Sequence, residues 1–175
     1  FAEATGISVA CNGVTIVAVV KPQRTTDSWW SSIVNCFYNS LMLNVRNTDG
    51  MVQVVIDGNW YDGPILADGQ EAVVSAVIQP DGTIKVAING EEMALTAPVS
   101  SFTQITAGGT GSYSYGQNVN IGRNDPDGWS TYNGDIGDVF VYTTALSDAD
   151  RHTLESDLGA KFGISIPTFT TVSGL

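Results

Sequence analysis

Between Ala72 and Gly90 the chain spells out a complete β-hairpin. Ala72–Ile78 is an apolar run rich in β-branched residues. Pro80-Asp81-Gly82 follows as a tight turn, with proline pre-setting one corner and glycine free to take a positive φ at the other. Thr83–Asn89 then alternates, with Ile84, Val86 and Ile88 on one face and Lys85 and Ala87 on the other. Asn89-Gly90 is the signature of a further two-residue turn.

The rest of the sequence repeats this theme. Apolar runs at Ile7–Val9, Val14–Val20, Ile33–Tyr38, Leu41–Arg46, Met51–Ile56, Val119–Ile121 and Asp135–Tyr142 read as strands. Lys21-Pro22, Asp49-Gly50, Asp57-Gly58 and Asp62-Gly63-Pro64 read as the turns that punctuate them. Val14–Val20 is apolar on both faces, as a strand covered on both sides would be. Residues 106–118, rich in Gly, Ser, Thr and Tyr, read as a long loop. Many short strands with frequent turns predict an all-β sandwich or barrel. One helix is expected, opening at Ser147 as N-cap with Asp148 and Asp150 in its first turn. Leu154, Leu158 and Phe162 fall on one face of it, Lys161 sits near its negative end, and Gly163 stops it. Ile164–Leu175 reads as one more strand-like segment.

A length of 175 residues fits one domain able to bury its own core. The net charge of −11 repels nucleic acid and anionic lipid, and no basic patch offsets it. Charged residues make up only 14%, so Gly, Ser, Thr and Asn fill the surface, as is common in extracellular β proteins. Phe1 in place of Met fits removal of a signal peptide, or a trimmed start, and no apolar run is long enough to cross a membrane. The expected location is therefore secreted or at the cell surface. Cys11 and Cys36 fit either a disulfide between neighbouring strands or two small buried thiols.

Three stretches carry a family resemblance: VTIVAVVKP (14–22), DGQ (68–70) followed by AVVSAVIQPDGTIKVAINGE (72–91), and GDIGDVFVYTTALSDADRHTLESDLGAKFGI (134–164). Together they resemble the laminin-G-like members of the concanavalin A-like lectin and glucanase superfamily, over residues 1–164. The last stretch is the most specific: an apolar-Tyr strand end, Ala145–Arg151, then Lys161–Ile164. The resemblance implies a jelly roll of two antiparallel sheets, a fold that hosts lectins, glucanases, adhesion modules and structural parts. Two departures stand out. The family's opening strand is shortened here at Phe1, and Ser165–Leu175 runs on past the point where the family pattern ends. They fit strand complementation between copies, with Phe1, Ile7 and Val9 as a receptive edge and Ile166, Phe169 and Val172 as the docking strand. Pairing of the tail within its own domain is the simpler alternative.

Catalysis finds little support. Glucanases of the superfamily alternate acidic residues along a strand, whereas Asp135 and Asp138 have the odd spacing that would point them to opposite faces. Glu91 and Glu92 read as turn residues, and His152, the one histidine, reads as a solvated position on the helix. Asp125 and Asp127 in the Asn124–Gly128 loop are candidate calcium ligands, a site the resemblance also implies. Trp29, Trp30, Trp60, Tyr61 and Trp129 flank polar turns, with Tyr113, Tyr115 and Tyr132 nearby, and are candidate aromatic platforms for a sugar ring. Such residues equally plug the ends of a sandwich core or build a protein interface. The favoured expectation is a non-catalytic extracellular subunit that assembles with itself into a fibre, appendage or coat. The alternative is a lectin-like, glycan-binding module, with or without calcium.

Overall fold

The computed structural model describes residues 2–5, 9–25, 29–36, 40–95, 104–105, 118–123 and 131–168. Among them the strands are β1 (Ala2–Thr5), β2 (Val9–Ala10), β3 (Val14–Pro22), β4 (Trp30–Cys36), β5 (Leu41–Arg46), β6 (Met51–Ile56), β7 (Asn59–Ile65), β8 (Ala72–Ile78), β9 (Ile84–Ile88), β10 (Glu91–Leu95), β11 (Gln104–Ile105), β12 (Asn118–Ile121) and β13 (Gly134–Tyr142). One helix, α1 (Asp148–Phe162), closes the order. A six-stranded antiparallel sheet, β1-β12-β4-β5-β6-β7, faces a five-stranded one, β10-β9-β8-β3-β13, and β11 pairs with β2 alone. The fold is an all-β jelly-roll sandwich with one C-terminal helix.

The period-2 geometry of strands sorts the side chains into layers. Val14, Ile16, Ala18 and Val20 of β3, Ala72, Val74, Ala76 and Ile78 of β8, and Ile84 and Val86 of β9 point between the sheets. They meet Leu41, Leu43 and Val45 of β5 and Val52, Val54 and Ile56 of β6. The alternate residues Val17, Val19 and Val73 point outward into a second apolar cluster with Leu158, against which Phe140, Leu154 and Phe162 pack. The two-sided hydrophobicity of β3 thus has two causes, the facing sheet inside and α1 outside.

Ser147 caps α1, accepting a hydrogen bond from the Asp150 N–H, and Gly163 ends it in the left-handed conformation. The helix also buries charge. Arg151 and Glu155 are each 1% exposed and pair at 2.8 Å beneath the helix. Ser75 Oγ donates to Glu155 at 2.5 Å, and Arg151 reaches Glu92 of β10 at 2.6 Å. Lys85 joins through Asp148 at 2.9 Å and Glu92 at 3.4 Å. His152 is half-buried with its ring Nε2 2.7 Å from Arg151, not the solvated residue the sequence predicts.

Other expectations also shift. Asp62-Gly63-Pro64 is not a turn but lies inside β7, where an edge position and a register shift opposite Met51/Gln53 accommodate the proline. Glu91 and Glu92 open β10, because the Asn89-Gly90 turn before them is already complete. β13 carries a bulge between Ile136 and Val139, so regular alternation does not hold between Asp135 and Asp138. Ile164–Thr168 forms no strand; Ile164 and Ile166 pack against the cluster under α1, close over Gly159, where a side chain would collide with Ile166. Cys11 and Cys36 are thiols, not halves of a disulfide. Among the described residues, no helix is long and apolar enough to cross a membrane.

Candidate functional site

The outward face of the six-stranded sheet is built differently from a solvated surface. Cross-strand pairs share a face, so register alone lays out its rows. One row runs Ser32 (β4), Asn44 (β5), Gln53 (β6) and Asp62 (β7). The next runs Asn120 (β12), Asn35 (β4), Met42 (β5), Val55 (β6) and Trp60 (β7). Beyond the first row, on the other side, Trp30 of β4 stands opposite Arg46 of β5. Amides and hydroxyls in the middle of apolar strands are thus gathered on one surface, while their strand neighbours fill the core.

Two turns fix the aromatic residues there. Asp57 (φ 48°) and Gly58 (φ 78°) form a two-residue hairpin loop with both positions left-handed. That loop pairs Ile56 with Asn59 and so sets Trp60 opposite Val55 on the outer face. At the start of β4 the Asn47 N–H donates to the Trp29 carbonyl at 2.9 Å, and Ser31 Oγ donates to Asn47 Oδ1 at 3.0 Å, anchoring the strand that carries Trp30. The rings of Trp30 and Trp60 meet with centroids 4.8 Å apart, tilted by 49°. They rise from strands separated by β5 and β6, so a pair in contact spans those two strands. Trp60 is 39% exposed and Trp30 half-buried.

Beneath them the polar row is short of partners. Ser32 Oγ, both amide atoms of Asn44 and Gln53 Oε1 are buried and have no hydrogen-bond partner within the protein. Gln53 Nε2 donates to Asp62 Oδ1 at 2.6 Å. Arg46 is held at the end of the row: it donates twice to Asp49, at 3.0 and 2.6 Å, and once to Asp62 at 3.2 Å. The hydrogen bond from Arg46 is the main cause holding the Asp49 carboxyl down to about 2, and the Asp49 bond in turn raises the guanidinium further above its already high range. Burial pushes the Asp57 carboxyl up.

Of the residues the sequence nominates as sugar platforms, Trp30 and Trp60 come together, on strands and not on the loops expected. Trp29, the residue before β4, is 73% exposed. Tyr61 is a correction: next to Trp60 in a strand, it must take the opposite face and lies in the core. Trp129 and the nominated calcium ligands Asp125 and Asp127 lie outside the described residues, as do Phe1, Ile7, Phe169 and Val172. Val9 pairs with Ile105, and Ile166 rests on its own α1. Sequence reading missed Ser32, Asn44 and Gln53. Their signal was present as polar residues interrupting otherwise apolar strands.

A cleft of about 820 Å³ opens between β12 and β13 at the side of the sandwich. Ile121, Ile136 and Val139 line it with Tyr132, whose buried hydroxyl has no partner and is raised in pKa by burial. Arg123, Thr131 and Asp138 line it too, so its walls mix aliphatic, aromatic and charged groups, without a pair of ring faces above amides. Among the described residues no group of three or more His, Cys, Asp or Glu is placed to hold a metal ion.

No family pattern and no curated protein matches the chain. Solved structures do. A Bacteroides ovatus protein assigned provisionally as carbohydrate binding aligns with a TM-score of 0.62 at 17% identity over 85% of this chain and 42% of its own. The CBM40 of the Ruminococcus gnavus IT-sialidase, bound to α2,6-sialyllactose, aligns with 0.60 at 19% identity over 85% of this chain and 95% of its own. The binding domain of botulinum neurotoxin serotype G aligns with 0.63 at 12% identity over 90% of this chain and 40% of its own. The chain therefore spans about two fifths of the first and third and nearly all of the second. At these identities the likeness is one of fold.

Proposed function

We propose that the chain is a non-catalytic, extracellular glycan-binding module on a concanavalin A-like, laminin-G-like sandwich, and that the face bearing Trp30 and Trp60 is its binding site. Four buried hydrogen-bonding atoms on Ser32, Asn44 and Gln53, side by side beneath two tryptophans, carry this reading. Buried polar groups are nearly always bonded, and each one left without a partner costs about 1–3 kcal/mol. A sugar ring answers both halves of the arrangement. Its C–H face lies on an indole, and its hydroxyls both donate and accept, as an amide requires. The row is buried, so a sugar reaches it only as its cover, the two meeting rings included, moves aside. The sialyllactose held by the Ruminococcus module supports the class of ligand without identifying it.

Binding of the intact chain to an array of oligosaccharides tests this. Wild type should retain a subset of glycans, and Trp60→Ala should lose them by about tenfold or more while melting nearly normally. Equal retention by wild type and variant would move the site elsewhere; no retention by wild type would end the reading.

Self-assembly through the termini is a second reading, supported by one observation. β1 lies at the edge of the six-stranded sheet, paired to β12 on one side. An exposed edge is a template for another strand. Ordered particles in electron micrographs that grow with concentration would support it, and monomers at every concentration would contradict it.

A further inference from the structure

The glycan the Trp30–Trp60 face accepts is, we infer, a neutral one, and terminal carboxylates such as that of a sialic acid are excluded. This rests on the glycan-binding reading above and goes further by naming the class of sugar. The chain has seven Lys and Arg, and all seven fall among the described residues. Recognition of a carboxylate calls for a guanidinium or ammonium with donors to spare. Register puts one cation on this face, Arg46. Its fork is already closed on Asp49 through two bonds, and a third goes to Asp62.

The other cations are placed elsewhere. Lys21 is on β3 and Lys85 on β9 of the opposite sheet, and Arg151 and Lys161 are on α1. Arg123 lines the cleft between β12 and β13. Arg24 alone comes close, its guanidinium near Gly50 at the end of the β5–β6 hairpin, but its Nε is buried and lies 3.7 Å from Asp68. The face therefore offers one neutralised arginine against Asp49 and Asp62, with Asp57 at the turn before Trp60, on a chain of net charge −11. An incoming anion meets like charge, and the unbonded donors there, the Ser32 hydroxyl and the Asn44 amide, are uncharged and do not offset it. The uncharged groups beneath the rings, one hydroxyl and two amides, are those that read sugar hydroxyls.

The test compares matched oligosaccharides, each neutral chain beside its terminally sialylated derivative, by titration of the intact chain at low and high salt. The neutral member should bind at least about tenfold more tightly, with an affinity that salt leaves nearly unchanged. In Asp62→Asn, which keeps the acceptor for Gln53 but removes one carboxylate from Arg46, the preference should narrow by about threefold or more. Equal or tighter binding of the sialylated member by wild type would overturn the inference and leave the glycan reading standing. An unchanged preference in Asp62→Asn would overturn the part assigned to the Arg46 clamp. Binding of neither member would overturn the glycan reading and the inference with it.

Discussion

Asn44 is fully buried with neither amide atom bonded, and Trp60 stands partly exposed above the neighbouring row. A residue kept for folding alone would be apolar at Asn44, since a fully buried amide without a partner costs stability. Asn44→Leu removes two unmet groups and should leave stability unchanged or raise it by up to about 2 kcal/mol, while lowering glycan affinity about tenfold. Loss of more than about 2 kcal/mol in thermal or urea melts would show that the amide is bonded after all. Cys36 makes a second residue-level case. Burial pushes its thiol up to about 12, so the native thiol should resist alkylation at pH 8 on a timescale that labels the unfolded chain completely. The fold favours the neutral thiol. Its contribution is fully present below about pH 9 and lost as pH rises toward about 12. Denaturant midpoints across the alkaline range measure it, with Cys36→Ala as the variant in which that dependence shrinks.

At the scale of elements, α1 is both the most legible piece and the one whose chemistry was least expected. Its cap, stop and apolar face at Leu154, Leu158 and Phe162 are plain in the sequence. Leu158→Ala should cost about 2–4 kcal/mol, and a cost under about 0.5 would mean the helix is not docked as described. Arg151 and Glu155, four residues apart, look like an exposed ion pair on paper, because charge is rarely buried. Ser75 was the available signal, a hydroxyl breaking the apolar outward face of β8. Glu155→Ala should destabilise by about 1–3 kcal/mol, because Arg151 keeps Glu92 while its buried Nη1 and Ser75 Oγ lose their acceptor. Arg151→Met with Glu155→Leu should recover most of that loss, and failure to recover would mean the pair also fixes how α1 sits. The apolar runs of β5, β6 and β8 and the alternation of β9 could be read almost to the residue. β7 and β10 could not, because Gly63, Pro64 and the pair Glu91–Glu92 carry turn and surface chemistry that edge positions tolerate.

For the whole molecule, the sandwich followed from the recurrence of short strands, and the layering from β3, which is apolar on both faces. The proposed binding face was legible only in fragments. Trp30 and Trp60 lie thirty positions apart, and nothing local says that β4 and β7 will face the same way with two strands between them. Topology makes the site, by setting four strands side by side in one sheet. The aromatic residues were expected on loops, as befits a surface platform, and they sit instead on strands, where register can hold them over the amide row. The central claim is that this row and its two tryptophans take a neutral sugar. It is tested most directly by ¹H–¹⁵N NMR of the chain titrated with an oligosaccharide retained on the array. The indole N–H signals of Trp30 and Trp60 and the side-chain amides of Asn44 and Gln53 should shift together, saturating at one affinity. Shifts confined to Tyr132 and its neighbours in the cleft between β12 and β13, with those four side chains unmoved, would contradict it.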